Sequence, residues 1–436
     1  HEGWVSRGRR GGQTDTRAIA AETLRLRHER AGLLGYGSFA DYRLEVEMAK
    51  SPAAVRDLLH AVWPPARAAA EADGAVLQEM LRGEGIEGPL RPWDWRYYAE
   101  KRRQAEHEID EAALKPFFQL DRMREAAFDC ARRLFGLEFR PVEAALHHPD
   151  ARAWDVTRNG RHMAVFIADD FARPGKRSGA WCSTLRPQSR LDGDRRPQVL
   201  NVCNFARPAA HQPALLSPDD ARTLFHEFGH ALHHILSDVT YESISGTSVA
   251  RDFVELPSQL FEHWLDVPEV LERFATHAET GAPMPAETRA RLRAAATFDM
   301  GFQTVEYVGS ALVDLELHAG PAPADPMQKQ AEVLAGIGMP EAIGMRHALP
   351  HFAHVFAGGY ASSYYSYLWA EMMDADAFAA FEEAGDPFDP GTAQALERHV
   401  LSAGGSAEPD ALYAGFRGRL PGVAALLRGR GLDHAA

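Results

Sequence analysis

Cysteine, lysine and long apolar runs are all scarce in this 436-residue chain, and each scarcity excludes something. Three cysteines, Cys130, Cys182 and Cys203, are too few and too unevenly spaced for a disulfide framework or an all-cysteine zinc site, so a reducing, cytoplasmic compartment is expected. Apolar runs are short, residues 163–168 among them, and none approaches the ~18 residues of a membrane-spanning helix, so no membrane partner is expected. Only five of the 47 basic residues are lysine (Lys50, Lys101, Lys115, Lys176 and Lys329), a skew that with abundant Ala and Gly points to GC-rich bacterial coding. Basic charge is itself in deficit, 47 against 61 acidic residues. The net charge of −14 argues against a nucleic-acid partner, because a polyanion would meet like charge. No Pro-rich or Gly/Ser-rich tract is long enough to stay unfolded, and 45% hydrophobic with 25% charged residues is an ordinary globular balance. The chain opens at His1-Glu2-Gly3-Trp4 with neither an initiator Met nor a basic-then-apolar leader, and is read as starting inside a longer gene product.

From residue 16 to about 135 the apolar residues recur three or four apart, which predicts helices. Ser51-Pro52 supplies an N-cap and a first-turn proline for one of them, and Pro64-Pro65 should kink or end it. Residues 93–106 and 121–134 read as two more. The texture changes near Phe139. Residues 151–157, then Asn159-Gly160, then 162–167 form a hairpin signature, since Asn-Gly accepts the positive φ of a two-residue turn, and 198–205 reads as a third strand. Helical patterns return after Pro208 over 219–236, 252–264, 287–318 and 360–383, and 320–325 reads as a loop. The expectation is a mainly α fold with a small β-sheet, in one continuous body with a helical part at 1–138 and a chemistry-bearing region at 139–436.

That region contains His226-Glu227-Phe228-Gly229-His230, an H-E-x-x-H pattern. At ~100° per residue the two histidines lie about 40° apart and one turn apart along a helix, so both imidazoles reach one Zn²⁺. Glu227 projects to the adjoining side, where it can take a proton from water without ligating the metal. Ser217-Pro218-Asp219-Asp220 places an N-cap, a first-turn proline and a capping-box acid in register before the motif. The competing reading is an exposed polar stripe on a helix whose apolar face is Leu224, Phe228, Leu232 and Ile235. His233 and His234 lie nearby, but only the first pair has a Glu directly after its leading His; His233 is expected to pack or to support. A catalytic zinc of this kind needs a third protein ligand. The next helix offers Glu255 and Glu262, both opposite a face of Phe253, Leu256, Leu260 and Trp264, and periodicity does not choose between them. Asp252 suits either an N-cap or an acceptor behind a ligand imidazole.

A third constellation follows at His354 and Gly358-Gly359-Tyr360, with Tyr364 and Tyr367 spaced to share one helical face with Tyr360. Phenol hydroxyls are good neutral donors toward a developing oxyanion, an imidazole can add another hydrogen bond, and the two glycines give a flexible turn. Three tyrosines on one face, where Phe or Leu would serve a core, argue for a surface that needs hydroxyls.

The H-E-x-x-H segment 224–233, the Asp252-Phe253-Val254-Glu255-Leu256-Pro257-Ser258-Gln259 stretch and the tyrosine block ending at Trp369 together resemble the thimet oligopeptidase family of zinc metallopeptidases. The resemblance runs almost end to end. Asn201-Val202-Cys203-Asn204-Phe205, residues 208–216, Ser245-Gly246-Thr247, Trp93-Asp94-Trp95-Arg96 and Leu33-Leu34-Gly35 are most similar to its bacterial peptidyl-dipeptidase branch, with oligopeptidase A second. It implies a multi-helical zincin-type fold with a deep substrate channel, and one zinc whose third ligand is Glu255, 29 positions after His226. It further implies that Glu227 is the base, that Tyr367 and His354 stabilise the oxyanion, that Tyr360 positions the substrate backbone beside Tyr364, and that Gly358-Gly359 lets the loop close. Members are usually longer, with an N-terminal helical region closing one channel wall; this chain is expected to lack it and to use 1–138 as a wall. The expected function is a monomeric zinc peptidase that releases C-terminal dipeptides from short peptides. The alternatives are an oligopeptidase A-like endopeptidase and, from another class, a non-hydrolytic zinc- or peptide-binding protein.

Overall fold

The computed structural model describes residues 1–108 and 111–433. In chain order, the elements used below are helix α1 (Pro52–Gly83), helix α2 (Leu120–Phe135), strands β1 (Glu138–Val142), β2 (Arg152–Arg158), β3 (Arg161–Phe171), β4 (Trp181–Arg186) and β5 (Gln198–Phe205), then helices α3 (Pro218–Leu236), α4 (Leu256–Glu262), α5 (Met300–His318) and α6 (Ser366–Ala384). The chain divides into two units, each assembled from discontinuous segments. No described helix is long and apolar enough to cross a membrane.

One unit comprises His1–Glu108, Ala294–Trp369 and Val423–Ala436, with α1 packed along α5. Val55, Leu59, Val62, Ala66 and Ala70 recur at helical spacing and are all buried, so the amphipathic pattern of α1 becomes its contact face. Pro64 and Pro65 lie inside α1 and do not end it. Each proline removes one backbone donor, but the carbonyls left over, of His60 and Ala61, belong to exposed residues where water can satisfy them. Val62, Trp63 and Ala66, on either side of the prolines, are buried. The expected helix over 287–318 is in fact two, Ala286–Ala294 and α5, because Asp299 takes a left-handed φ of 58° and its carboxylate accepts the Trp95 indole N–H at 3.0 Å. Trp95 then stacks on Phe302 with centroids 5.0 Å apart.

The other unit comprises Ile109–Arg293 and Ala370–Gly422. Its sheet has strand order β1-β2-β3-β5-β4, antiparallel except for the parallel β3/β5 pair. The expected hairpin is β2–β3, where Asn159 and Gly160 adopt φ of 52° and 77°, and β5 is the expected third strand. The edge strands β1 and β4 carry no clean alternation of burial, which is why the sequence pattern did not reveal them. Helix α3 lies against β3, β4 and β5. Phe128 of α2, Phe139 of β1, Phe166 of β3 and Phe228 of α3 meet ring to ring, with Phe128 and Phe139 stacked at 4.0 Å and Phe166 and Phe228 edge-on at 5.4 Å. This aromatic core fixes the motif helix on the sheet.

Candidate metal centre

Helix α3 begins as its sequence requires. The Ser217 hydroxyl accepts from the Asp220 N–H and the Asp220 carboxylate accepts from the Ser217 N–H, both at 3.0 Å, with Pro218 in the first turn. His226 and His230 follow one turn apart, their ring centroids separated by 5.0 Å and their planes nearly perpendicular. Glu255 comes from the break between the short helix Arg251–Val254 and α4, so the expected single helix over 252–264 is interrupted at the residue that matters. It caps both helices with φ and ψ of −82° and −8°, and Pro257 lies in the first turn of the next one.

These three side chains meet. The Nε2 atoms of His226 and His230 face Glu255 Oε2 at 3.4 and 3.1 Å. Among the described residues, one ligand atom from each of His226, His230 and Glu255 lies within 4.8 Å of the others, a group that can hold a metal ion. Two imidazoles and one carboxylate form a donor set suited to a divalent metal that keeps a coordination position free. Glu255 is 6% exposed rather than on a solvated face, and the buried Ser258 hydroxyl donates to its backbone carbonyl at 2.9 Å and lies 3.2 Å from its Oε2.

Glu262 takes a separate position. Its Oε1 accepts from His226 Nδ1 at 2.7 Å, with Arg222 near its other oxygen at 3.8 Å. Proton donation from Nδ1 leaves the Nε2 lone pair for a metal, so Glu262 acts through His226. Burial disfavours a charged His226, yet Glu255 and Glu262 outweigh it and raise the imidazole of the protein alone to about 10. The same contacts hold Glu255 well below the usual carboxylate range despite its burial. Glu227 is 5% exposed, and burial pushes its carboxyl upward.

The packing of α3 on α4 depends on Gly229. A Cβ there would lie 2.5 Å from the Pro257 carbonyl oxygen and 2.6 Å from Ser258 Cα. The glycine inside H-E-x-x-H therefore admits the element that follows Glu255. His233 is fully buried with neither ring nitrogen hydrogen-bonded among the described residues, and burial drives its pKa well below the usual value. Nothing in the structure explains why this position is a histidine. His234 faces the Thr247 hydroxyl at 3.0 Å. Asp252 is fully buried in the short helix, and Ala250 rather than Asp252 occupies the N-cap position.

In the other unit, His354 and the three tyrosines form one ring cluster. Tyr360 stacks on Tyr367 at 5.2 Å, and His354 lies 5.5 Å from Tyr364, 6.0 Å from Tyr360 and 6.5 Å from Tyr367. The expected helical face is not what brings them together, because α6 starts only at Ser366 and the residues before it form turns. Asp314 of α5 shapes that segment: its two carboxylate oxygens accept from the Ser362 and Tyr364 N–H groups at 2.9 and 3.0 Å. Tyr364 is buried, whereas Tyr360, Tyr367 and His354 are half-buried. Gly359 has a φ of 82°, while a Cβ at Gly358 would lie 3.1 Å from the His354 backbone.

Known proteins match this chain along nearly its whole length. It is 38% identical to the dipeptidyl carboxypeptidase of Salmonella typhimurium over 98% of this chain and 64% of that protein. It is also 38% identical to oligopeptidase A of Escherichia coli, again over 98% of this chain and 64% of that protein. It thus spans about two thirds, 64%, of the length of these relatives. The fold is similar to that of metallocarboxypeptidase 1 of Trypanosoma cruzi, with a TM-score of 0.56 at 12% identity, covering 96% of this chain and 76% of that one. The model of peptidase family M3 matches residues 2–432, and the chain belongs to that family.

Proposed function

We propose that the chain hydrolyses short peptides at a single zinc ion held by His226, His230 and Glu255, releasing C-terminal dipeptides. The observation that carries this reading is the convergence within 4.8 Å of one side-chain atom each from His226, His230 and Glu255, with a buried glutamate directly after His226 on the motif helix. When bound, zinc supplies Lewis acidity toward the scissile carbonyl and acidifies the attacking water. Glu227 takes the proton from that water and passes it to the leaving amine, a role for which a carboxyl raised by burial is suited. Glu262 holds His226 in the tautomer that offers Nε2. As the family resemblance implies, Tyr367 and His354 would donate hydrogen bonds to the developing oxyanion, and Tyr360 with Tyr364 would position the substrate backbone. The Gly358-Gly359 turn lets that segment close over bound peptide. The three free thiols fit a cytoplasmic setting.

Replacing Glu227 by Gln preserves size and removes the base. Glu227→Gln is expected to retain one zinc per chain and to lose about 10²- to 10⁴-fold in kcat. A variant with bound zinc and full activity would remove Glu227 from this role.

A second reading is an endopeptidase on short peptides, favoured by the equal identity to oligopeptidase A. The two separate on one substrate pair. Dipeptide release requires a free terminal carboxylate two residues beyond the cut, so amidating that terminus should abolish cleavage by a peptidyl-dipeptidase. An endopeptidase would cleave both forms, with the products identified by mass.

A further inference from the structure

Glu227 has a face turned away from solvent, and what lies behind it has no assigned role. A cavity with about 20 Å³ of room for a water molecule's centre separates α3 from the sheet, lined by Glu227, Leu224 and Phe228 on one side and by Asn201, Cys203 and Asp170 among the others. The sheet side follows from strand periodicity. Phe166, Ala168 and Asp170 alternate along β3, Asn201 and Cys203 alternate along β5, and Ala168 pairs with Asn201, so all point to one face.

Two oxygens at this cavity are sealed from solvent and lack hydrogen-bond partners among the described residues: Glu227 Oε2 and Asn201 Oδ1. Their residues are 5% and 6% exposed. A buried acceptor with no donor is costly, and two acceptors cannot satisfy each other. The Arg124 guanidinium, which also lines the cavity, is already bound to Asp170 at 2.6 Å and to Asp121 at 2.7 Å. Room for one water begins at roughly 10–15 Å³, and a polar cavity of that size takes one where it finds at least two partners.

We propose that one ordered water occupies this cavity and donates one hydrogen bond to Glu227 Oε2 and the other to Asn201 Oδ1, making Asn201 a positioning residue for the base. A lone pair of the water remains for the Cys203 thiol, also at the cavity wall. Held by Oε2, the carboxylate keeps a fixed plane and leaves its other oxygen for the proton it must take. Asn201 acts on Glu227 through the water and touches no substrate. The inference rests on Glu227 being the base, as argued above, but the water itself does not.

The first test needs no variant. A crystal structure of the zinc-loaded chain at about 1.5 Å or better should show one water within about 2.6–3.2 Å of both oxygens. No density there, or an Asn201 amide nitrogen donating directly to Glu227, overturns the proposal. The second test is Asn201→Leu, which fills the cavity without offering an acceptor. It should lose the water and about tenfold or more in kcat, while KM and zinc content stay unchanged. An unchanged kcat overturns the positioning role. If Asn201→Leu fails to fold, the first test still decides, and a Glu227→Gln variant that remained active would sink the base assignment without touching the water.

Discussion

A carboxylate that accepts from the far nitrogen of a ligand imidazole fixes which nitrogen carries the proton and which is free for the metal. Glu262 does this for His226 at 2.7 Å. Replacing it with alanine should weaken zinc binding by about 10- to 100-fold, measured by competition with a chromogenic chelator. Glu262→Gln, whose amide oxygen still accepts, should lose less. An alanine variant that binds zinc as tightly as the parent would show that His226 needs no such support. Both Glu255 and Glu262 stood out in the sequence, and helical periodicity alone placed them on one face. The structure separates their positions because the helix breaks at Glu255. Pro257 was the available sign of that break, since proline favours the first turn of a new helix over the interior of an old one. Asn201 was visible only as part of a resembling stretch, because an acceptor's lack of a partner is a property of three-dimensional packing.

Elements position these residues, and α3 meets the start of α4 at Gly229 with no room for a side chain. Adding one methyl there drives a Cβ into the backbone of Pro257 and Ser258, which cannot swing aside as a side chain would. Gly229→Ala should therefore cost about 1–3 kcal/mol by overpacking, despite the better helix propensity of alanine. Separation of α4 from α3 would also carry Glu255 away from the histidines, so zinc affinity should fall together with stability. Denaturant melts and chelator competition on the same variant check both. Unchanged stability would mean that α4 shifts freely, and unchanged zinc affinity would mean that Glu255 does not follow it. Legibility differed among elements for physical reasons. Helix α3 declared itself through its capping box, first-turn proline and apolar stripe. Strands β1 and β4, at the sheet edges, had no buried face to impose an alternating pattern. The tyrosine segment looked helical because its spacing fits a helix, yet Asp314, some fifty residues earlier in the chain, captures two of its amides and holds it as turns. A competing partner that distant leaves no trace in the local pattern.

At the scale of the whole molecule, segments far apart in sequence join into each unit, which no local periodicity can report. The balance of buried titratable groups is likewise collective and sets how stability depends on pH. Burial first, then the charges of His354, Arg346 and His351, lowers His347 to about 4. Its unfolded value is near 6.5, so below that pH the unfolded chain binds more protons than the folded one. The stability His347 contributes is therefore complete above about pH 6.5 and is lost as the pH falls toward 4. Asp299 acts in the opposite sense, since burial raises its carboxyl to about 6 and the folded chain binds more protons between that value and the unfolded one. The net slope mixes the two, so the useful quantity is a difference. His347→Phe keeps a ring that can pack on Phe352, 5.2 Å away, and removes the titration. Its thermal midpoint relative to the parent should rise between pH 7.5 and pH 5, whatever its absolute value at neutral pH. Melts in one buffer series decide the matter, and a difference that stays constant across that range would show that His347 titrates in the folded protein as it does in the unfolded chain.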